Sequence, residues 1–530
     1  MSKVIGKVIL ITLAIGVLTT ARTTASFTAS FQTGKLSAQE RRGHQIYVKG
    51  ISPSGKDITA VIGGTEVEAP ASAFPCASCH GRDGLGRTEG GVSPSDVTWN
   101  SLTRPYLVTG QGGRKHPAYD ESFLKRAITM GMDPAGNRLR TAMPKFRMSL
   151  EDMADLVSYL KVLGRISDPG ITESTITVGT IIPAEGPLAD AGQSVKAVLQ
   201  AYFDELNSDG GIFGRKLELQ TISGSREPDV RGKIVNGNLF ALISPFTTGA
   251  DQELTTLFEN EELPVIGPIT LLPQTRFPIN RQIFYLCSGL PEQIAALFNF
   301  GSQNLKASFT QVAVVSAKQG ATLTLPLVIR EKCKESSLKL VADIEYADGQ
   351  FNAGKLAAQL REANPGTVFV FGSAEEQREL LNELAKVNFI PNVMLPGPLV
   401  GQEIFDIPVD FKNKIFVSYP TLPLDRSPAA INRYVAFAKK HSISPTYLNT
   451  QISAYCAAEI LVHTLKLAGR DLNQEKTVLA LEGLRGFETG LIPPITYGPN
   501  RRIGALGAYV VSLDLEKKQL VASSVWIPAN

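Results

Sequence analysis

At 530 residues the chain exceeds what one hydrophobic core usually supports, so several domains are expected. Its 43% apolar and 19% charged content excludes a disordered tail. A formal charge of +3 is too near balance for a nucleic-acid surface.

Lys3 and Lys7 precede an apolar run from Val8 to Leu18, and Thr19-Thr20-Ala21 or Thr23-Thr24-Ala25 offers a cleavage site. Residues 1–25 therefore read as a signal peptide, removed on export or kept as an N-terminal anchor. The first acidic residue is Glu40, which suits an amino terminus held in the cytoplasm while the rest crosses. The mature chain is expected in the periplasm, either soluble or tethered to the inner membrane.

Residues 36–164 form the first body. Ser37 with Glu40 three positions later is a capping box, and Ile46 and Tyr47 give the helix behind it an apolar side. Gly43 would let a second helix approach closely. Cys76-Ala77-Ser78-Cys79-His80 comes next. Two thiols at this spacing reach the two vinyl groups of a haem, and the histidine beside them can ligate its iron. A zinc site would need about four ligands, and the remaining choices, His44 and His116, have no ligand-type neighbour at close spacing.

Met143, in the stiff loop Thr141-Ala142-Met143-Pro144, is the expected second axial ligand. Its soft thioether suits iron and helps set the potential. Met130, Met132, Met148 and His116 are the alternatives. Trp99, Tyr106 and Phe146 are candidates for packing on the haem, and Lys145 and Arg147 for a positive electron-transfer surface. Ser149 caps a closing helix whose apolar set is Met153, Leu156, Val157, Leu160 and Leu163.

Residues 165–174, with Pro169-Gly170, break the pattern and read as a short linker. From Ile176 strands alternate with helices. Strands are expected at 176–182, 217–221, 239–243, 265–268, 311–315, 340–344, 367–371, 392–395 and 414–419, and helices at 191–206, 353–361, 375–386 and 452–467. Such alternation predicts parallel sheets covered on both faces, with a ligand outside the carboxyl ends of the strands. Three loops there combine hydroxyls, free amides and Gly/Pro turns: Glu185-Gly186-Pro187, Ser244-Pro245-Phe246-Thr247-Thr248-Gly249 and Gly267-Pro268-Ile269-Thr270. Cys287, Cys333 and Cys456 allow at most one disulfide, or remain as isolated thiols. His441 and His463 are widely placed and the second body has no persuasive nucleophile–base set, so no catalytic residue is assigned and the chain reads more as an electron-transfer and ligand-binding protein than as an autonomous enzyme.

With Gly81-Arg82-Asp83-Gly84-Leu85-Gly86 after the cysteine motif, Ala142-Met143-Pro144 and Leu156-Val157-Ser158-Tyr159-Leu160, residues 36–164 resemble a class I cytochrome c. The resemblance implies an all-α domain with one covalent haem c held by Cys76 and Cys79, an axial pair of His80 and Met143, and one-electron transfer.

Residues 175–520 resemble the type I periplasmic solute-binding proteins of the Leu/Ile/Val family. The likeness is carried by Ile181-Ile182-Pro183-Ala184-Glu185-Gly186-Pro187-Leu188, Asn207-Ser208-Asp209-Gly210-Gly211-Ile212-Phe213-Gly214-Arg215 and Leu263-Pro264-Val265-Ile266-Gly267-Pro268. It implies two α/β lobes, 175–291 with 414–520 and 292–413, closing on a small organic solute. In amino-acid-binding members a hydroxyl-bearing loop holds the ligand carboxylate. Thr247 and Thr248 fall in that region, with Thr270 near the second contact loop and Phe246 and Tyr419 as cleft walls. The stretch matching the acid that holds a ligand ammonium, Gly397-Pro398-Leu399-Val400, has no acid, although Glu375 or Glu376 could substitute. That departure points to a less charged or apolar solute. The expected partners are a periplasmic dehydrogenase, of which the chain could be the haem subunit, or another cytochrome. A membrane permease fed by a solute receptor is the alternative.

Overall fold

The computed structural model describes residues 36–529 apart from 64–65, 87, 89–92, 106–107, 110–112, 166, 276 and 337. The leader and Tyr106 lie outside the described residues.

The first body is framed by the two capped helices read from the sequence. Ala38–Lys49 starts with the capping box in place: Glu40 N donates to Ser37 Oγ at 3.2 Å and Ser37 N to Glu40 Oε2 at 2.6 Å. Leu150–Val162 is capped by Ser149, whose Oγ accepts Asp152 N at 3.1 Å. The two helices cross at Gly43, where an added Cβ would lie 2.0 Å from the Asp155 carbonyl oxygen. Arg42 clasps the Asp155 carboxylate beside this crossing, at 2.7 and 2.9 Å. The short helix Cys76–His80 and the helix Glu121–Met130 complete the helical frame.

A three-stranded antiparallel sheet is added to that frame: Thr59–Ile62 lies between Val67–Pro70 and Lys145–Arg147. Its strands are three or four residues long, too short for a period-two pattern to emerge from sequence.

The second body has two sheets. In the first, Thr175–Ile182, Lys216–Ser223, Ala241–Ile243, Val265–Ile266, Ile283–Cys287 and Ile503–Ala505 are all parallel. Helices Ala189–Ser208 and Leu448–Ala468 contribute to one of its cores, and Glu227–Asn236 and Asp251–Asn260 to the other. The second sheet runs in the order Lys339–Tyr346, Gln311–Ala317, Thr367–Phe371, Asn392–Pro396, Ile415–Tyr419, Gly507–Asp514 and Gln519–Ala522. The near-continuous apolar runs of the central strands follow from helix cover on both faces.

The expected lobe boundaries need correction. Ile415–Tyr419 and Gly507–Asp514, placed in the first lobe from sequence, belong to the second, because they pair with each other and Ile415–Tyr419 pairs with Asn392–Pro396. The helices Pro428–Lys440, Leu448–Ala468 and Gln474–Glu482 do return to the first lobe. The chain therefore crosses between lobes near Ser288, between Tyr419 and Ser427, and between Ala505 and Gly507. Ser288 ties two crossings together, accepting Gly507 N at 2.8 Å and donating to Ala505 O at 3.2 Å. Gly507, at φ 151°, leaves no room for a side chain: an added Cβ would sit 2.4 Å from the Ile527 carbonyl oxygen.

Replacing Gly43 by Ala should cost about 1–3 kcal/mol through overpacking at the helix crossing. Chemical denaturation followed at the cytochrome region checks this; an unchanged midpoint contradicts the crossing.

Candidate functional site

The helix Cys76–His80 begins after Pro75 and puts both thiols three residues apart on one turn. The His80 ring has Nδ1 2.9 Å from the Ser95 carbonyl oxygen, so Nδ1 carries the proton and Nε2 keeps its lone pair for a metal. Burial lowers the pKa of His80, which favours the neutral ring that ligation needs. The turn after the motif is pinned from outside: Tyr47 Oη donates to Gly81 O at 2.7 Å and Gly86 N to His80 O at 2.8 Å.

Cys76, Ala77, Trp99, Leu102, Tyr119, Met143 and Met148 are partly buried apolar residues around the core of this domain. Met143 sits in a turn where its N–H donates to Arg140 O at 2.9 Å. Of its rivals, Met130 is 60% exposed, while His116 is buried, with Nδ1 2.9 Å from the Pro117 carbonyl oxygen. A paired thiol turn, an imidazole with a fixed tautomer and methionines packed on the same apolar core fit a haem.

Phe146 is buried in the small sheet. Lys145 and Arg147 offer no free positive patch, since Glu66 faces Lys145 at 2.9 Å and Glu68 faces Arg147. His44 points to the other body rather than to a metal cluster.

In the second body the three expected loops do follow the carboxyl ends of first-lobe strands. Phe246 and Ile269 form a parallel bridge that joins two of them. Phe246 itself is 4% exposed and packs into the lobe core, so its ring does not form a cleft wall. Thr247 Oγ1 donates to Asp251 Oδ1 at 2.7 Å, Thr270 Oγ1 to the same oxygen at 2.5 Å, and Thr248 Oγ1 to Ile269 O at 3.2 Å. Burial raises the Asp251 carboxyl above its ordinary range, opposed by the Thr270 and Thr247 hydroxyls.

On the second lobe Tyr419 ends its strand, half-buried, with Gly397 pressed against its ring. Glu376 caps the helix Ala374–Lys386 by accepting Ser373 N at 2.7 Å. Asp251 is the residue missing from the sequence reading. An acid in a first helical turn ordinarily just complements the helix dipole.

The two bodies meet at the opposite end of the first lobe. Every strand of its sheet is parallel, and Glu262, Arg281 and Arg502 all lie just before strand starts. Arg82, two residues past His80, reaches Glu262 at 2.5 Å and Glu475 at 3.9 Å. His44 Nε2 lies 3.3 Å from Glu262. Arg281 grips Glu475 through two 2.7 Å bonds and lies 3.4 Å from Glu482, which also holds Arg502 at 2.7 Å. Burial opposes ionisation of Glu262, but His44 and Arg82 outweigh it and hold its carboxyl below the ordinary range.

The linker is packed as well. Gly170, at φ 77°, lies so close to Phe240 N that an added Cβ would be 2.3 Å away. Asp168 accepts a hydrogen bond from Gln474 N.

Comparison with known proteins follows this division. Residues 175–519 match the family described as periplasmic binding protein, and residues 71–164 match cytochrome c. The chain belongs to the periplasmic binding protein family and carries a cytochrome c domain ahead of that module. A Leu/Ile/Val-binding protein of Rhizobium johnstonii is 21% identical over 332 residues, 62% of this chain and 89% of that protein. The leucine-, isoleucine-, valine-, threonine- and alanine-binding protein of Pseudomonas aeruginosa is 23% identical, covering 59% and 84%. A branched-chain amino acid ABC transporter structure from Thermus thermophilus with bound valine superposes with TM-score 0.53 at 16% identity, covering 67% and 97%. A fatty acid ABC transporter substrate-binding protein from Thermomonospora curvata gives 0.52 at 16% identity, covering 68% and 94%. These structures share the fold of the second body. Among the described residues no helix is long and apolar enough to cross a membrane.

Removing the Glu262 carboxylate as Glu262→Ala should destabilise the contact by on the order of 2–4 kcal/mol, because Arg82 keeps a partly buried charge. Limited proteolysis should then cut residues 165–174 faster, and an unchanged cleavage rate contradicts the clamp.

Burial pushes the Asp168 carboxyl up to about 6 from 3.8, so the folded state holds this proton more tightly than the unfolded chain. Its contribution to stability therefore falls as pH rises between those two values. Asp168→Asn should flatten that slope and raise stability at pH 7 by on the order of 1 kcal/mol. Denaturation across pH 4–7 reads the result, and a slope identical to wild type contradicts it.

Proposed function

We propose that this protein is a periplasmic one-electron carrier whose cytochrome domain is docked on the base of a module that binds a small organic solute. The carrying observation is the placement of the two sites. The cysteine motif adjoins the amino ends of the first-lobe strands through Arg82, while the hydroxyl loops follow their carboxyl ends. Thr175–Ile182 alone has eight residues, roughly 26 Å of extended chain. A solute held by those loops is therefore separated from the cysteine motif by the depth of a lobe. The solute then acts as a signal or cargo, and electrons are exchanged with a separate protein such as a dehydrogenase or another cytochrome.

Bound through Cys76 and Cys79, haem c supplies a centre that takes up and releases one electron. The chain's own residues set its surroundings. Ser95 orients His80 by accepting the Nδ1 proton. Met143 would supply a second, thioether ligand to the iron beside His80. Tyr47 and Gly86 hold the motif turn through their hydrogen bonds to the Gly81 and His80 carbonyls.

A second reading, a solute receptor for an ABC-type permease with an accessory cytochrome, is favoured by the transporter relatives. It differs in its partner. Capture of the protein by permease-containing vesicles supports it, and capture by a reduced dehydrogenase supports the electron carrier.

Met143 provides the direct test of the haem site. Wild type should exclude added cyanide and show sulfur-to-iron charge-transfer absorption when oxidised. Met143→Ala should bind cyanide at least tenfold more tightly, lose that absorption and shift potential by on the order of 0.1 V. An unchanged absorption band in the variant contradicts Met143 as ligand and moves the role to another methionine such as Met148, whereas a band already absent from wild type moves it to His116.

A further inference from the structure

The cleft hydroxyls that the sequence offers to a ligand carboxylate are already engaged by the protein. Thr247 and Thr270 reach into the cleft loops from different strands, yet both donate to one oxygen, Asp251 Oδ1, at 2.7 and 2.5 Å. Thr247 is 4% exposed, so its hydroxyl has little room to turn outward. The third hydroxyl, on Thr248, is spent on the Ile269 carbonyl.

Asp251 is the first residue of the helix Asp251–Asn260. The N–H groups and dipole of a helix start favour an anion there, and the protein supplies one itself. An incoming carboxylate would meet a like charge, with the nearby hydroxyls turned to that charge.

The second-lobe positions that the sequence offers for a ligand ammonium do not present a free acid. Gly397–Leu399 is a tight turn without an acid, and a Cβ at Gly397 would lie 2.4 Å from the Tyr419 ring. Glu376, the substitute acid, is committed to its helix cap and lies against Tyr346.

We propose that Asp251 is the specificity-determining residue of the cleft, accepting a donor head group, an alcohol or amine, and rejecting carboxylates and amino-acid zwitterions. This rests on the reading of the cleft as a solute site. It assigns the module a different ligand class from the amino acids named for its relatives. The head group would share the Asp251 carboxylate with Thr247 and Thr270, and the apolar remainder would lie toward Tyr419 and Leu399.

Calorimetric titration of the haem-loaded full chain tests this with matched probes: benzyl alcohol, benzylamine and benzoate; 3-methylbutanol, 3-methylbutylamine and 3-methylbutanoate; and leucine. In at least one set the alcohol or amine should bind at least tenfold more tightly than the carboxylate or leucine. Asp251→Asn keeps Oδ1 as acceptor for both threonines and removes the charge, so the preference should shrink to under threefold. Asp251→Ser, which frees both hydroxyls, should reverse it.

Carboxylate or leucine binding to wild type as tightly as the alcohol overturns the proposal while the solute-site reading stands. So does an Asp251→Asn protein, folded by its thermal transition, that discriminates as wild type does. If no probe binds wild type or either variant, the solute-site reading itself falls, and the specificity proposal falls with it.

Discussion

The arrangement of this protein depends on one shared carboxylate. Glu262 stands at the base of the binding module, 15% exposed at its side chain, and takes two partners from the cytochrome domain, the His44 ring and the Arg82 guanidinium. A carboxylate removed from water needs such partners to remain ionised. Arg82 is equally dependent, since it follows the haem motif by two residues and has Glu262 and Glu475 as its acids. The chain of pairs continues through Arg281 and Glu482 to Arg502. Arg502 directly precedes the strand Ile503–Ala505, from which the polypeptide crosses to the second lobe. The cysteine motif is thus tied by contiguous charges to a strand that leads into a hinge crossing.

This geometry limits how solute and electron can influence each other. The hydroxyl loops and the docked cytochrome lie at opposite ends of one parallel sheet. A solute held by the hydroxyl loops would reach the cytochrome only by altering the first lobe or its crossing strands, because the depth of the lobe separates them. Ser288, which ties Gly507 to Ala505, sits where such an alteration would start. Coupling in this sense requires two arrangements of the crossing with different affinities for solute.

Much of this was legible in the chain, and the failures share a cause. Cys76, Cys79 and His80 carry their chemistry in adjacent residues, and the caps at Ser37 and Ser149 are complete within four positions. Gly43 announced a close helix crossing because only a missing side chain permits one. Ser95 was not legible: it acts through a backbone carbonyl, which any residue possesses. The lobe assignment of Ile415–Tyr419 was misread because its antiparallel partner, Gly507–Asp514, is about 90 residues away and local pattern carries no pairing information. Thr247 and Thr270 lie on neighbouring loops, but their common acceptor, Asp251, reads in sequence as an ordinary helix-start acid. Glu262 and Glu475 likewise resemble solvated charges until the two bodies are placed together.

Small-angle X-ray scattering of the haem-loaded chain, compared at low salt and at 1 M salt, tests the docking most directly. Charge pairs that are largely buried are screened little by salt. The scattering should therefore fit one docked particle under both conditions, with a single maximum dimension. Curves that require an ensemble of separated bodies joined by an extended linker, already at low salt, would contradict the account.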